Sequence, residues 1–396
     1  MVNKGIYLDH AATTEIDDTV LKEMMPYLTN KFGNPSSLYS IGRENKQAID
    51  TARQQVADVL NCSKKEIFFT SGGSESDNLA IKGIAYANRK KGNHIITSKI
   101  EHSAVLNTCK MLEKNGFEVT YVNVDSSGKV VLNELQNSIK PTTILISIMF
   151  ANNEVGTVQD IESIGSIAKK NNIYFHTDAV QAIGNIRIDL QRLNIDALSM
   201  SAHKFYGPKG VGALYVRNGI MFDSIINGGH QESGKRAGTE NVAGIVGLGK
   251  AIELAYSNFD KYNQYLLGLR NEYIKNIETK IPNSFLNGDR INRLPGNANF
   301  SFEGVKGEDI VLMLDMEGIC TSSGSACSSG NSNPSHVLSA MGKSKEIALG
   351  AVRVTFGKDN TKSDVEKIVD KMVEIVNKLR ESKSNIKDIS PSINLI

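Results

Sequence analysis

The chain has 396 residues, 40% of them hydrophobic and 22% charged, an ordinary balance for a globular protein and long enough to bury a large core without staples. Its 45 Lys and Arg against 43 Asp and Glu leave a net charge of +2, so no strong field draws it to nucleic acid or anionic lipid, and neither is expected as a partner. No apolar run approaches the roughly 18 residues a membrane helix needs, the opening MVNKGIYLDHAATT lacks an apolar signal stretch, and four scattered cysteines without a CxxC pair point to a reducing, cytoplasmic compartment.

From about residue 65, short apolar runs alternate with helix-length periodic segments. Ile67–Thr70 predicts a strand and Glu75–Ala87 a helix, then His94–Thr97 a strand and Ala104–Lys114 a helix. Val119–Val124 and Ile144–Phe150 read as strands. Ile161–Lys170 reads as a helix, with apolar residues at Ile161, Ile164, Ile167 and Ala168. Tyr174–Thr177, Ala197–Met200 and Gly212–Val216 complete seven strands. This alternation predicts an α/β core with a mostly parallel sheet. Unbroken apolar strands are what coverage on both faces requires. Ala243–Tyr256 predicts a long helix, continued by a polar one through Ile277. Beyond it Asn297–Phe302, Gly318–Thr321 and Ala351–Phe356 are strand-like, and Asp309–Met316, Pro334–Met341 and Ser363–Leu379 are helix-like. The expected division is a large domain over 15–257, and a small α+β domain over 1–14 and 258–396 with a loose tail from 381.

Four segments carry residues suited to chemistry. In Thr70-Ser71-Gly72-Gly73-Ser74-Glu75-Ser76 a strand ends on two glycines and a helix begins. Free N–H groups and a positive dipole end there suit a phosphate, although a plain capped turn would look the same. No Gly-Lys-Ser/Thr follows, which argues against a nucleotide-binding P-loop. Asp178, in His176-Thr177-Asp178-Ala179-Val180-Gln181, follows a strand, where ligands gather in open α/β sheets. It could hold a protonated ring nitrogen or simply cap a helix. His176 and Asp178 alone are too few for a metal, and no metal site is expected. Lys204 follows another strand beside His203 and before a Gly-Pro turn. Partial desolvation there would let it lose its proton and form a Schiff base, where the plain alternative is a surface lysine. Cys327 stands in Thr321-Ser322-Ser323-Gly324-Ser325-Ala326-Cys327-Ser328-Ser329-Gly330, a run of small residues that would leave the thiol exposed and able to travel. His102 opens a predicted helix. His94, His230 and His336 offer no constellation.

A phosphate turn, a strand-end Asp and a Schiff-base Lys, in that order, are the parts of a pyridoxal phosphate site. The chain resembles the class V aminotransferase-like, fold-type I enzymes, and within them the NifS/IscS-type cysteine desulfurases. The likeness runs from Tyr7-Leu8-Asp9-His10-Ala11-Ala12-Thr13-Thr14 to about Gly357. It includes Gly33-Asn34-Pro35-Ser36-Ser37, Phe150-Ala151-Asn152-Asn153-Glu154-Val155-Gly156, Arg236-Ala237-Gly238-Thr239-Glu240-Asn241 and Ser323-Gly324-Ser325-Ala326-Cys327.

The resemblance implies a fold-type I transferase with a mostly parallel seven-stranded sheet and a small α+β domain. It implies Lys204 as the Schiff-base lysine, Asp178 as partner of the pyridine nitrogen, Gln181 on the ring hydroxyl and His102 stacked on the ring. Gly73, Ser74, Ser201 and His203 match the phosphate contacts, with Thr239 reaching in from the other subunit of a homodimer. Asn153 and Arg353 match the groups that hold cofactor and substrate carboxylate, and Cys327 the persulfide-forming nucleophile. The implied reaction converts L-cysteine to L-alanine and passes sulfur to an acceptor protein, an iron–sulfur scaffold or a thiolation enzyme. Ser74 keeps the hydroxyl of the Thr found in some relatives. Glu232-Ser233-Gly234-Lys235 replaces a more Arg-rich stretch, and the C-terminal tail differs from that of relatives that dock a scaffold. A selenocysteine lyase or another class V enzyme would share this scaffold. A plain aminotransferase has no need of a loop thiol, and a non-catalytic scaffold would have no need of Lys204 and Asp178.

Overall fold

The computed structural model describes residues 5–323 and 334–389. After β1 (Ile6–Tyr7), the chain forms α1 (Asp18–Leu28) and α2 (Ser40–Leu60), then β2 (Ile67–Thr70) and α3 (Gly73–Ala87). There follow β3 (His94–Ser98), α4 (Ser103–Lys114), β4 (Glu118–Val122), α5 (Leu132–Asn137), β5 (Thr143–Ser147), α6 (Ile161–Lys170), β6 (Tyr174–Asp178), β7 (Ala197–Ser201) and β8 (Gly212–Val216). Strands β2 to β8 make one seven-stranded sheet in the order β2-β8-β7-β6-β5-β3-β4. Only β8 runs against its neighbours. All seven strands expected from the apolar runs lie in this sheet. Coverage explains their texture: β2, β3, β5, β7 and β8 are buried at every position, while edge strand β4 is mostly half-exposed.

Helix α7 (Val242–Ser257) and the long α8 (Phe259–Lys280) follow. One face of the sheet packs on a core that includes Val56, Leu60, Phe175, Leu198 and Leu248, and α7 lies against α1 and α2. The other face packs on Leu79, Ile84, Val105 and Leu112 from α3 and α4. Helices α1 and α2 fall in the stretch where no element was expected. Yet Ile49, Ala52, Val56 and Leu60 recur at helical spacing and are all buried.

The chain then adds β9 (Ser284–Asn287), β10 (Asn297–Phe302), α9 (Gly307–Met316), β11 (Ile319–Cys320), β12 (Ser322–Ser323), α10 (His336–Ala340), α11 (Lys345–Leu349), β13 (Ala351–Thr355) and α12 (Lys362–Ile389). Strands β12-β13-β10-β9 form a second, antiparallel sheet. Its own core includes Tyr273, Phe300, Phe302, Val354, Ile368 and Met372. The strand expected over Gly318–Thr321 is only Ile319–Cys320, β11, which pairs with β1; β12 follows just beyond it and pairs with β13. Helix α12 runs to Ile389, well into the segment expected to be loose. Residues 390–396 lie outside the described residues.

From β1 the N-terminal segment crosses between the two cores. An isolated bridge pairs Asp9 with Thr355, and Thr14 donates and accepts backbone and side-chain bonds at His203 and Tyr206. This strap brings residues 9–14 to the carboxyl edge of the large sheet.

Candidate active site

The strands β2, β3, β5, β6 and β7 all end at one edge of the large sheet, the edge where open α/β folds place their ligands. A cavity of about 570 Å³ lies there. At one end β2 turns through Ser71 and Gly72 into α3. Gly72 has φ 152° and ψ −178°, a region open essentially to glycine alone. A Cβ on Gly73 would sit 2.7 Å from Val180 Cγ2. The backbone can therefore reach the cavity, and the N–H groups of α3's first turn stand unpaired within the helix. Gly73, Ser74, Ser201 and His203 line this end. His203 Nδ1 lies 3.0 Å from Thr13 Oγ1. Burial, with help from Lys204 and Lys209, pushes its imidazole down to about 4, so it offers a neutral hydrogen-bonding ring at neutral pH.

Asp178 ends β6, buried, with Oδ1 accepting the Val180 N–H at 2.9 Å. Burial raises its carboxyl, and the nearby His102 and Lys204 pull it back. His102 caps α4: its Nδ1 accepts the Ala104 N–H at 3.2 Å. That leaves the neutral ring's proton on Nε2. Sequence reasoning missed the third member of this group. Asp77, on the inward face of α3, is 1% exposed, lines the cavity and brings a carboxylate oxygen within 4.8 Å of Asp178 and His102. Its Oδ1 has no hydrogen-bond partner. Burial, and then the charge of Asp178, drive its carboxyl well above the usual range, and burial raises Asp178 beside it too. His176, two residues before Asp178, bonds Ser147 and Ser199 at 2.8 and 3.0 Å, its Nε2 lies 3.7 Å from Asp77 Oδ1, and burial lowers it to about 3.

Lys204 stands on a single tight turn, Ala202–Lys204, directly after β7. Its Nζ donates to the carbonyls of Ala11 and Ala12 at 2.6 and 2.7 Å, both on the N-terminal strap. Gln181 Nε2 donates to the same Ala11 carbonyl at 2.9 Å. On the far wall Arg353, from β13, donates to the Asn153 carbonyl at 2.9 Å and to Asp9 Oδ1 at 2.7 Å. Glu154 beside it accepts from Ser335 Oγ at 2.5 Å, and burial raises its carboxyl to about 7. His336, expected to belong to no constellation, lines this wall and donates from Nε2 to the Glu101 carbonyl at 3.0 Å.

Cys327 lies outside the described residues. Its flanks are described: Ser322 pairs with Arg353 across β12 and β13, and Pro334 and Ser335 line the cavity. Thr239 is exposed and is not brought to this cavity by its own chain. Cys109 is buried in α4 and Cys62 follows α2, and burial pushes both thiols up to about 12. Burial also raises Cys320.

The site fits pyridoxal phosphate on its own geometry. The glycine turn and helix N-terminus would suit a phosphate, Asp178 a protonated ring nitrogen, and Lys204 an aldehyde carbon. Comparisons with known proteins agree. The family described as "Aminotransferase class-V" matches residues 6–368. Over 382 residues the chain is 56% identical to a cysteine desulfurase IscS of Clostridium botulinum, covering 96% of each chain. It is likewise 56% identical to a cysteine desulfurase IscS of Methanosarcina thermophila, covering 96% of this chain and 93% of that one. A solved NifS-like protein superposes with a TM-score of 0.89 at 41% identity, over 94% of this chain and 99% of the other.

Proposed function

The chain belongs to the aminotransferase class-V family, and from that premise we propose that it is a pyridoxal-phosphate-dependent cysteine desulfurase that converts L-cysteine to L-alanine and transfers the sulfur to an acceptor. The observation that carries this reading is the convergence of the Gly72-Gly73 turn, Asp178, Lys204 and Arg353 on one cavity.

In this reading Lys204 would be the covalent attachment point, Gly73, Ser74, Ser201 and His203 would hold the phosphate, and Gln181 and His102 would hold the ring. When bound, the cofactor supplies an electron sink for the Cα of cysteine. Asp178, at the end of β6, would pair with the protonated ring nitrogen. Arg353 orients the substrate through its carboxylate, since a planar fork meets a carboxylate with two bonds, and Asn153 supports it. Lys204 Nζ would move the Cα proton, with His102 Nε2 as a second donor. Cys327 as thiolate attacks the substrate sulfur. An S–S bond forms as the C–S bond breaks, the electron pair stays on the carbon side, and protonation there yields alanine. A free thiol is only a few per cent ionised near neutral pH, so a base must take its proton.

We infer a homodimer with Thr239 completing the partner's phosphate site. Support comes from the exposure of Thr239 and from apolar side chains left outside the core, among them Leu28, Phe32, Leu38 and Met221. The separate cores of the two sheets support a large domain over 15–257, and a small one over 1–14 and 258–396. No described helix is long and apolar enough to cross a membrane, and we place the enzyme in the cytoplasm. Its acceptor is a protein thiol, on an iron–sulfur scaffold or a thiolation enzyme.

The test is to purify the protein, reduce it with borohydride, and find the label. A yellow protein labelled at Lys204 that forms alanine from L-cysteine, with sulfide released in equal amount under reductant, is the expected result. A colourless protein that stays inactive after adding the cofactor would refute the reading.

A further inference from the structure

Strand β13 carries Arg353 into the cavity with its side chain only 5% exposed. A guanidinium so deeply buried needs partners that fix it. One nitrogen donates to the Asn153 carbonyl at 2.9 Å, and the other to Asp9 Oδ1 at 2.7 Å. Its Nε is buried without a partner. Five N–H groups in a rigid plane cannot turn independently, so the two bonds that are made decide where the remaining donors point.

Asp9 itself is held. Its backbone bridges β13 at Thr355, and the Tyr7 hydroxyl donates to the carbonyls of Asp9 and Thr13 at 3.0 and 2.9 Å. A competing acceptor is near: the buried carboxyl of Glu154 lines the same wall and feels the charge of Arg353.

We propose that Asp9 is a positioning residue that, together with the Asn153 carbonyl, fixes the orientation of the Arg353 guanidinium in the cavity wall, and so sets recognition of the substrate's α-carboxylate. This rests on the assignment of Arg353 to that carboxylate. Without Asp9 one nitrogen loses its partner, and the guanidinium turns toward Glu154.

The test uses the holoenzyme and reads affinity from the cofactor's absorbance rather than from turnover. L-cysteine is titrated against cysteamine, which keeps the thiol and amine and lacks the carboxylate. Asp9→Ala should weaken L-cysteine binding about tenfold and change cysteamine by less than about twofold, the size expected when a charge-assisted bond is lost. Asp9→Asn keeps an acceptor oxygen and should show a selective loss of only about threefold. If Asp9→Ala does not fold, Asp9→Asn decides by that selective loss. Equal losses for both ligands, or wild-type affinities, would overturn the role of Asp9. Arg353→Leu separates the two levels. If it loses L-cysteine selectively while the Asp9 variants do not, the proposal alone fails. If it shows no selectivity, the carboxylate assignment fails and the role of Asp9 with it.

Discussion

Glu101 is fully buried, and burial lifts its carboxyl from 4.5 to about 8. Bonds from Ser98 Oγ at 2.6 Å and the Met149 N–H at 3.0 Å favour the charged form and offset part of that rise. The folded state thus binds this proton more tightly than the unfolded state does. Its contribution is fully present below about 4.5 and is lost as pH rises through about 8. Glu101→Gln should therefore add more stability at about pH 8.5 than at about pH 5 in urea unfolding, and an equal gain at both would show that the carboxyl titrates normally in the fold. At the reacting centre, Lys204→Ala should abolish alanine formation while the protein stays folded and retains some cofactor, because Gly73, Ser74, Asp178 and Gln181 are untouched. Turnover at the wild-type rate would remove Lys204 from its role. Cys327→Ala should still answer L-cysteine with a change in cofactor absorbance but form neither alanine nor sulfide. Cys62 and Cys109 cannot substitute, since burial keeps both protonated. Sulfide release at the wild-type rate would make Cys327 a bystander.

Among the elements, the turn into α3 combines backbone conformation with close packing. Gly72 occupies a region closed to other residues, so Gly72→Ala should destabilise the protein by about 1–3 kcal/mol. It should also speed cofactor loss on dialysis; a variant with native melting and native cofactor retention would show that the turn relaxes without cost. This turn was legible in the sequence because its signal is local: apolar strand, paired glycines, helix start. The strands of the large sheet were legible for a related reason, since coverage on both faces makes each an unbroken apolar run. Helix α2 carried its signal too, but in a diluted form, Ile49, Ala52, Val56 and Leu60 among many polar residues. Asp77 and His336 gave no local signal. Asp77 is one polar residue on a helix, and only the packing of α3 against β7 and β8 turns it inward. His336 acts through a carbonyl 235 residues away in sequence.

For the whole molecule, the exposed Thr239 and the uncovered apolar side chains near the N-terminus lead to a prediction about assembly. Lys204→Ala and Thr239→Val should each be defective as homodimers. After subunit exchange, a mixed dimer should recover activity in one of its two sites. No recovery after verified exchange, or a fully active Thr239→Val, would show that each chain completes its own site. The amino-acid sequence alone determined the class of fold, the family and the residue types of the chemistry, because periodicity, glycine turns and ordered motifs are written along the chain. Tertiary structure decided how the acids titrate. Asp77, Asp178, Glu101 and Glu154 are ordinary acids in sequence, and burial raises all four. It also decided that Asp9 meets Arg353 across 344 positions. Protonation and pairing depend on distance and solvent exposure in three dimensions, and neither quantity is a property of neighbours in sequence.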